Sequence, residues 1–393
     1  MRTTTITATI VATAAVLVAC APMPAGPGTT STTTTTVLTG TAPVITSFTT
    51  PFAAVTTPAL VPFSWTVADP QGNALTCTID VEDDGDVELT LPDCQGTRSR
   101  NVGVGTTGPL VVRLSVSDGS ETASATVAFS ASPGPTETYD VVLRPQSPLA
   151  PEAQTAFDAA EARWESVLVA GVPSASVSIG ENACGATNGA LSGIVDDVVI
   201  DISTTAIDGD GGVLARAGPC LIATGDRLAR FGVMEFDLAD IGDLVASGTL
   251  DDVIVHEMGH VLGIGTLWDS IPTGSLITGA GTADPRFVGA RAGAEWSTLG
   301  RTGTVPVEAT GGPGTADSHW RESVFDNELM TGFIDTGSNP LSRLTIASLG
   351  DLGYLVDVGA ADAYSLPGSS LLSALRAPPV RFHSELLGPI GTV

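Results

Sequence analysis

Residues 253–270 read VIVHEMGHVLGIGTLWDS. His256 and His260 stand four apart, Glu257 sits between them, and Gly263 follows three residues after the second histidine. On a helix, side chains four apart share a face, so both imidazoles can reach one ion while Glu257 touches a water beside it. This is the chemistry of HExxH: two neutral histidines hold zinc, and the carboxylate takes a proton from the water. The chain has only four histidines, His256, His260, His319 and His383, and finding two of them at ligand spacing argues against coincidence. Around the motif, residues 247–265 (SGTLDDVIVHEMGHVLGIG) predict a helix, with Thr249 and Asp252 in a capping arrangement and Asp251 adding negative charge at the N-terminus. Gly263 predicts a sharp turn where that helix would otherwise run on, because glycine tolerates positive φ.

A turn at Gly263 would carry the chain round so that a later residue meets the metal from below. The metzincin pattern supplies a third histidine three residues after the glycine, but here Thr266 occupies that position. The third ligand must therefore come from farther along. Asp284 would suit an aspartate-ligand class and Glu295 or Glu308 a glutamate-ligand class, yet none of these explains Gly263. His383 lies in a proline-rich stretch with no surrounding pattern. His319 is the best candidate: it lies in DSHWRESVFDNELMTGF (317–333), which also carries Met330.

Three blocks in order, HEMGHVLGIGTLW (256–268), DSHWRESVFDNELMTGF (317–333) and LSRLTIASLGDLGY (341–354), resemble the leishmanolysin-like metzincins, especially their bacterial secreted members. The resemblance covers roughly residues 139–365. It implies His256, His260 and His319 as ligands of one catalytic zinc, Glu257 as general base, Gly263 as the turn glycine and Met330 as the methionine of a turn beneath the metal. Ile264–Ser318 becomes an insertion. The activity implied is zinc-dependent hydrolysis of proteins or peptides. The cysteine motif that keeps the parasite enzymes latent is absent from this sequence. The rival is a surface-anchored adhesin or binding protein with a catalytically idle metalloprotease fold, and a zinc amidase or peptidase acting on cell-wall peptides is a second.

The rest of the chain predicts what surrounds this domain. Its formal charge is −27 and its pI about 4.1, and all 16 basic residues are arginines. No basic groove for nucleic acid can be assembled from them. The acidic run Asp80–Glu88 offers oxygens for Ca2+ but lacks the glutamate an EF-hand loop needs at its twelfth position. Residues 1–20 read as a lipoprotein signal peptide ending in LVAC, with Cys20 as the lipidated residue. The chain is then exported, held at the cell surface or outer membrane through an N-terminal lipid anchor, or released. Residues 21–42 are a Thr/Pro-rich linker.

Alternating apolar and polar residues with turn signals make 43–133 an Ig-like β-sandwich of the PKD or cadherin type, with a spacer role as the default. A hinge at 130–138 leads into the catalytic domain, 138–365, and residues 366–393 form a tail. The fold class is thus multidomain, an all-β Ig-like sandwich followed by an α+β metzincin-type catalytic domain. Four further cysteines in an exported chain imply two disulfides, Cys77–Cys94 and Cys184–Cys220, one in each domain. Within the catalytic domain, residues 151–171 predict a helix with Phe157, Ala160, Trp164, Val167 and Leu168 facing the core. Residues 194–208 predict one central strand. Residues 215–237 are expected to offer a sheet edge to which an extended substrate adds as a strand. Tyr354 is read as packing a C-terminal helix rather than as an oxyanion donor.

Overall fold

The computed structural model describes residues 41–335, 337–367, 380–381 and 384–393. Cys20, the stretch 1–20 read as a signal peptide and nearly all of the linker lie outside the described residues, as do His383 and half of the tail.

The first quarter of the described chain forms strands and no helix. β1 (Val44–Thr49), β3 (Ala59–Ala68) and β6 (Gly96–Val104) form one antiparallel sheet. A second sheet runs in the order β2 (Ala54–Thr57), β8 (Thr122–Pro133), β7 (Gly108–Ser117), β4 (Thr76–Val81), β5 (Leu89–Pro92). Alternation decides which side chains face inward. In β7 Leu110, Val112, Leu114 and Val116 are buried while the residues between them are more exposed. They share a core with Phe63 and Trp65 of the other sheet and with Cys77 and Cys94, which are joined as a disulfide.

The following region is mixed. Its main sheet runs β9 (Val141–Pro145), β12 (Val198–Thr205), β14 (Ala229–Asp237), β13 (Ala215–Ile222). The first three are parallel, and β13 is antiparallel to β14. Every residue of β14 is buried, because both faces of the sheet are covered. Met234 and Phe236 join the core made with α1 (Pro151–Val167) and α3 (Leu250–Val261). Phe231 and Val233 join a second core around the Cys184–Cys220 disulfide and the hairpin of β10 (Ala175–Ile179) and β11 (Leu191–Val195). The expected apolar stripe of α1 lies in the first of these cores, with Trp164 fully buried and its Nε1 donating to Val255 O at 3.0 Å.

The single strand expected over 194–208 is instead two, β11 and β12. Asp197 accepts backbone hydrogen bonds from Val172 (2.6 Å) and Asp140 (2.8 Å), and these bonds hold the chain in a turn between the strands. After β14 come α2 (Ile241–Ser247) and α3. Between α3 and His319 the chain makes a three-stranded sheet of β15 (Ile277–Thr278), β16 (Arg286–Phe287) and β17 (Val305–Pro306), plus α4 (Ala290–Thr298). α5 (Glu322–Phe325), β18 (Phe333–Ile334) and α6 (Arg343–Leu352) follow. Three short strands end the chain: β19 (Val380–Arg381) pairs with β18, and β20 (Ser384–Leu386) and β21 (Gly391–Thr392) pair with β13.

Candidate metal centre

α3 is apolar on nearly all sides, with Val253, Ile254, Met258 and Val261 fully buried. It is therefore a core helix, and its polar residues are carried inside with it. Its start differs from the expected capping arrangement. Thr249 is helical in backbone and makes no side-chain cap; its Oγ1 pairs with Ser247 Oγ at 2.8 Å, and Asp252 accepts from Asn339 Nδ2 at 2.7 Å. The helix follows α2 so closely, through Gly248, that Thr249 N already bonds back to Leu244 O, and a free N-terminus never forms.

The helix ends as expected at Gly263, whose φ is +114°. A Cβ there would stand 2.9 Å from Leu267 Cδ1. The turn swings Ile264 O back to accept from His260 Nδ1 at 2.8 Å. Gly265, at φ +74°, then lets the chain pass so close to Ser318 that a Cβ would lie 2.2 Å from its carbonyl oxygen. His319 follows directly. The backbone there is tied to two neighbours: Glu308 N donates to His319 O, and the next residue's amide, Trp320 N, donates to Met330 O.

These supports bring His256, His260 and His319 together. Their Nε2 atoms lie 2.9–3.1 Å from one another, and all three residues are 0% exposed. Every Nδ1 has a hydrogen-bond partner on the far side of its ring: Leu329 O for His256 (2.7 Å), Ile264 O for His260, and Thr315 O with Ser318 Oγ for His319 (3.2 and 3.0 Å). A ring that donates from Nδ1 to a carbonyl keeps its lone pair on Nε2. Three lone pairs then converge with no proton to share, an arrangement that repels itself unless a cation sits among them. A triangle of this size has a point about 2 Å from all three corners, the zinc–imidazole distance. The donor set therefore fits zinc. Burial, together with the His260 imidazole, holds His256 well below the usual histidine range; burial pushes His260 down to about 4, and His319 is depressed by burial and by both neighbours. All three are neutral ligands at neutral pH.

Glu257 is also 0% exposed, and neither of its carboxylate oxygens has a hydrogen-bond partner. Burial raises its pKa well above the usual carboxylate range. An isolated buried carboxylate is costly, and a cation with its water alongside would supply what it lacks. Met330 is fully buried against α3, its Sδ 3.2 Å from where a Cβ on Gly259 would stand.

Among the described residues, these histidines are the one group of three or more His, Cys, Asp or Glu side chains that gather their ligand atoms for a metal. The alternative third ligands are engaged elsewhere. Asp284 pairs with Arg286 and Arg321, Glu295 with Arg343, and Glu308 accepts from Ala309, Thr310 and Glu322. In the acidic run, Asp80 accepts from the amides of Asp84 and Gly85, and Asp83 pairs with Arg113. Tyr354 is buried edge-on against Tyr139 at 5.7 Å, a packing position.

Two supporting residues escaped the sequence reading. One is Gly265, described above. The other is Glu328, fully buried, whose carboxylate accepts from Met330 N (2.7 Å), Ser342 N (3.1 Å), Ser342 Oγ (2.6 Å) and Thr345 Oγ1. It ties the turn carrying Met330 to the start of α6. In the sequence Glu328 follows Asp326 and Asn327 directly, and nothing local sets it apart from an ordinary polar turn.

Residues 186–369 match the family model described as Leishmanolysin. A leishmanolysin homolog from Crithidia fasciculata is 31% identical over 152 residues, which is 36% of this chain and 22% of the relative. The chain thus spans about a fifth of the curated relative it matches. Solved structures similar to part of the chain include the PKD domain of an M14-like peptidase from Thermoplasmatales archaeon SCGC AB-540-F20 (18% identity, 23% of this chain and 92% of that one, TM-score 0.20). Another is the sulfur carrier protein SoxY from Chlorobium limicola (21% identity, 22% and 78%, TM-score 0.17). Overlaps that small carry no argument about this chain.

Proposed function

We propose that this chain is a zinc-dependent endopeptidase acting on extracellular proteins or peptides, with His256, His260 and His319 holding the metal and Glu257 as general base. The observation that carries this reading is the convergence of three buried, unprotonated Nε2 atoms beside a buried carboxylate without a partner. The match of residues 186–369 to the leishmanolysin family supports it. When bound, zinc supplies a Lewis acid for the substrate carbonyl and lowers the pKa of a coordinated water to about 7.

The protein's own groups do the rest. The Nδ1 hydrogen bonds fix each ring so that its Nε2 faces the centre. Glu257 takes a proton from the attacking water and returns it to the leaving amine. Burial alone would keep Glu257 protonated, and a divalent cation alongside reverses that preference.

The test is cleavage of an unbiased peptide mixture by the purified chain, with metal analysis alongside. Glu257→Gln should keep about one zinc per chain and lose 10²–10⁴-fold in rate, and a chelator should abolish cleavage. Full activity in Glu257→Gln would sink the proposal. No cleavage by a folded, zinc-loaded chain would favour the binding-protein reading.

The sandwich 43–133 is read as an Ig-like module of the PKD or cadherin type, supported by its two facing sheets. Export and anchoring through a lipid on Cys20 rest on the N-terminal sequence alone; mass spectrometry of the mature N-terminus would find the diacylglycerol mass or exclude it. No helix among the described residues is long and apolar enough to cross a membrane.

A further inference from the structure

The sheet edge expected to receive a substrate strand is already taken. β13 packs against the metal helix α3, and its outer edge carries residues 384–393 of the same chain. β20 and β21 both run parallel to it. Leu387 N donates to Ala217 O, Ile390 N to Cys220 O and Val393 N to Ile222 O, each at 2.9 Å, and Thr224 N returns a bond to Val393 O at 2.7 Å. Glu385 lies 3.5 Å from Arg216. Leu387 and Val393 pack on the core around the Cys184–Cys220 disulfide. The fit is close: a Cβ on Gly218 would fall 1.8 Å from Leu387 O.

The residues just before this segment pair with the strand that follows the Met330 turn. β19 pairs with β18, which begins three residues after Met330. Two residues separate β19 from β20, so three Cα steps, at most about 11 Å, join the two attachments. The strand beside the Met330 turn and the strand on the metal helix are thus clasped by one short segment. The three histidines and Glu257 are wholly buried, whereas a peptidase must admit its substrate.

An extended peptide adding to β13 would need the carbonyls of Ala217, Cys220 and Ile222, which already accept hydrogen bonds from this segment. We propose that residues 384–393 fill, in cis, the strand-addition edge of β13 and hold the metal site closed to extended peptides until they are displaced. The inference rests on the peptidase reading for its consequence, though not for the occupancy itself. Tethering gives the segment an effective concentration on the order of millimolar, so a free peptide of ordinary affinity loses the competition. Gly388–Pro389 interrupts the pairing and leaves two short stretches in place of one long strand, so the clasp can open.

The experiment uses the full chain, zinc-loaded and carrying Glu257→Gln so that nothing is cleaved. The probe is a fluorescent peptide of this chain's own residues 384–393, SELLGPIGTV. Leu387→Pro with Ile390→Pro removes two of the donors without touching β13, and should bind the probe at least tenfold more tightly than the parent. Glu385→Arg, an exposed change that leaves folding intact, should move binding in the same direction by a smaller factor. Equal affinity for parent and both variants would overturn the inference.

The same substitutions in chains retaining Glu257 are then assayed on the peptide mixture. Cleavage that rises with probe binding supports both readings. Tighter probe binding with no cleavage by any chain keeps the occupied edge and discards the peptidase. Cleavage at one rate in parent and variants keeps the peptidase and discards the closed edge.

Discussion

His319 meets the other two histidines only through long-range structure, and its loss is the sharpest single-residue test of the metal centre. His319→Ala leaves two ligands on α3 and an unfilled position where the third stood, so zinc affinity should fall by more than a hundredfold, measured by competition with a chromogenic chelator. Retention of zinc at wild-type affinity would remove His319 from the site. His260 gives a second test, through pH. Its folded value without metal, about 4, lies below the ordinary 6.5. Between those values the unfolded chain binds a proton that the folded chain does not, so stability falls as pH drops from 6.5 toward 4. The full shift corresponds to about 3 kcal/mol. Burial raises Glu257 and Asp351 and works in the opposite sense, so the informative quantity is a difference. The urea midpoint of the metal-free chain should fall more steeply between pH 7 and 5 than that of metal-free His260→Gln. Parallel curves for the two would show that His260 is not held neutral by burial.

Elements rather than single side chains decide how the rings are aimed. Leu329 O orients His256, and Leu329 stands between Glu328 and Met330 in the turn that Glu328 ties to α6. Glu328→Ala would strand two buried amides and two hydroxyls, at a cost of about 3–5 kcal/mol. It should also weaken zinc binding by 10–100-fold, as expected when a group that orients a ligand is lost. Glu328→Ala with unchanged zinc affinity would separate the turn from the metal centre. This tie marks where reading the sequence stops. His256, Glu257 and His260 were legible because one helical turn places them together, and Gly263 because only a turn explains a glycine there. His319 needed the scarcity of histidine and the resemblance of three separated blocks. Glu328 and Gly265 act across 14 and 53 residues of chain, respectively, through contacts that leave no local period. The break between β11 and β12 was missed for a related reason: it depends on Asp197 capturing two distant amides, with no glycine or proline at the turn. The edge of β13 could be anticipated from its strand pattern; its occupant, more than 160 residues away, could not.

At the scale of the molecule, the sandwich is not a free spacer. β3 and β6 pack on α4, which belongs to the insertion between Gly263 and His319. Asn101 Nδ2 donates to Arg291 O at 2.9 Å and to Glu295 Oε1 at 3.0 Å, and Arg100 Nη1 reaches Ser297 Oγ at 3.1 Å. Arg291 links three parts of the chain at this junction. Its Nε donates to Leu60 O of β3 at 2.8 Å, its Nη1 to Gly350 O of α6 at 3.0 Å, and its guanidinium stacks 4.4 Å from the Phe52 ring. Asp351, buried and pushed up to about 6, accepts from the amides of Arg291 and Ala292 and so fixes the start of α4. One side chain thus joins the sandwich, the insertion and the helix that also anchors the Met330 turn. Arg291→Ala removes both carbonyl hydrogen bonds and the stacking, and it leaves Asp351 without its nearest cation. Calorimetry of the wild-type chain should show the sandwich and the region carrying the three histidines unfolding together. In Arg291→Ala the sandwich, which keeps its own core and the Cys77–Cys94 bridge, should unfold as a separate transition, with the region carrying the three histidines losing about 2–4 kcal/mol. Arg291→Met restores much of the packing volume and should recover part of the stability but not the coupling, because the carbonyls of Leu60 and Gly350 would still lack their donor. A single unshifted transition in Arg291→Ala would mean that the apolar contacts alone hold the sandwich in place and that the insertion does not need it.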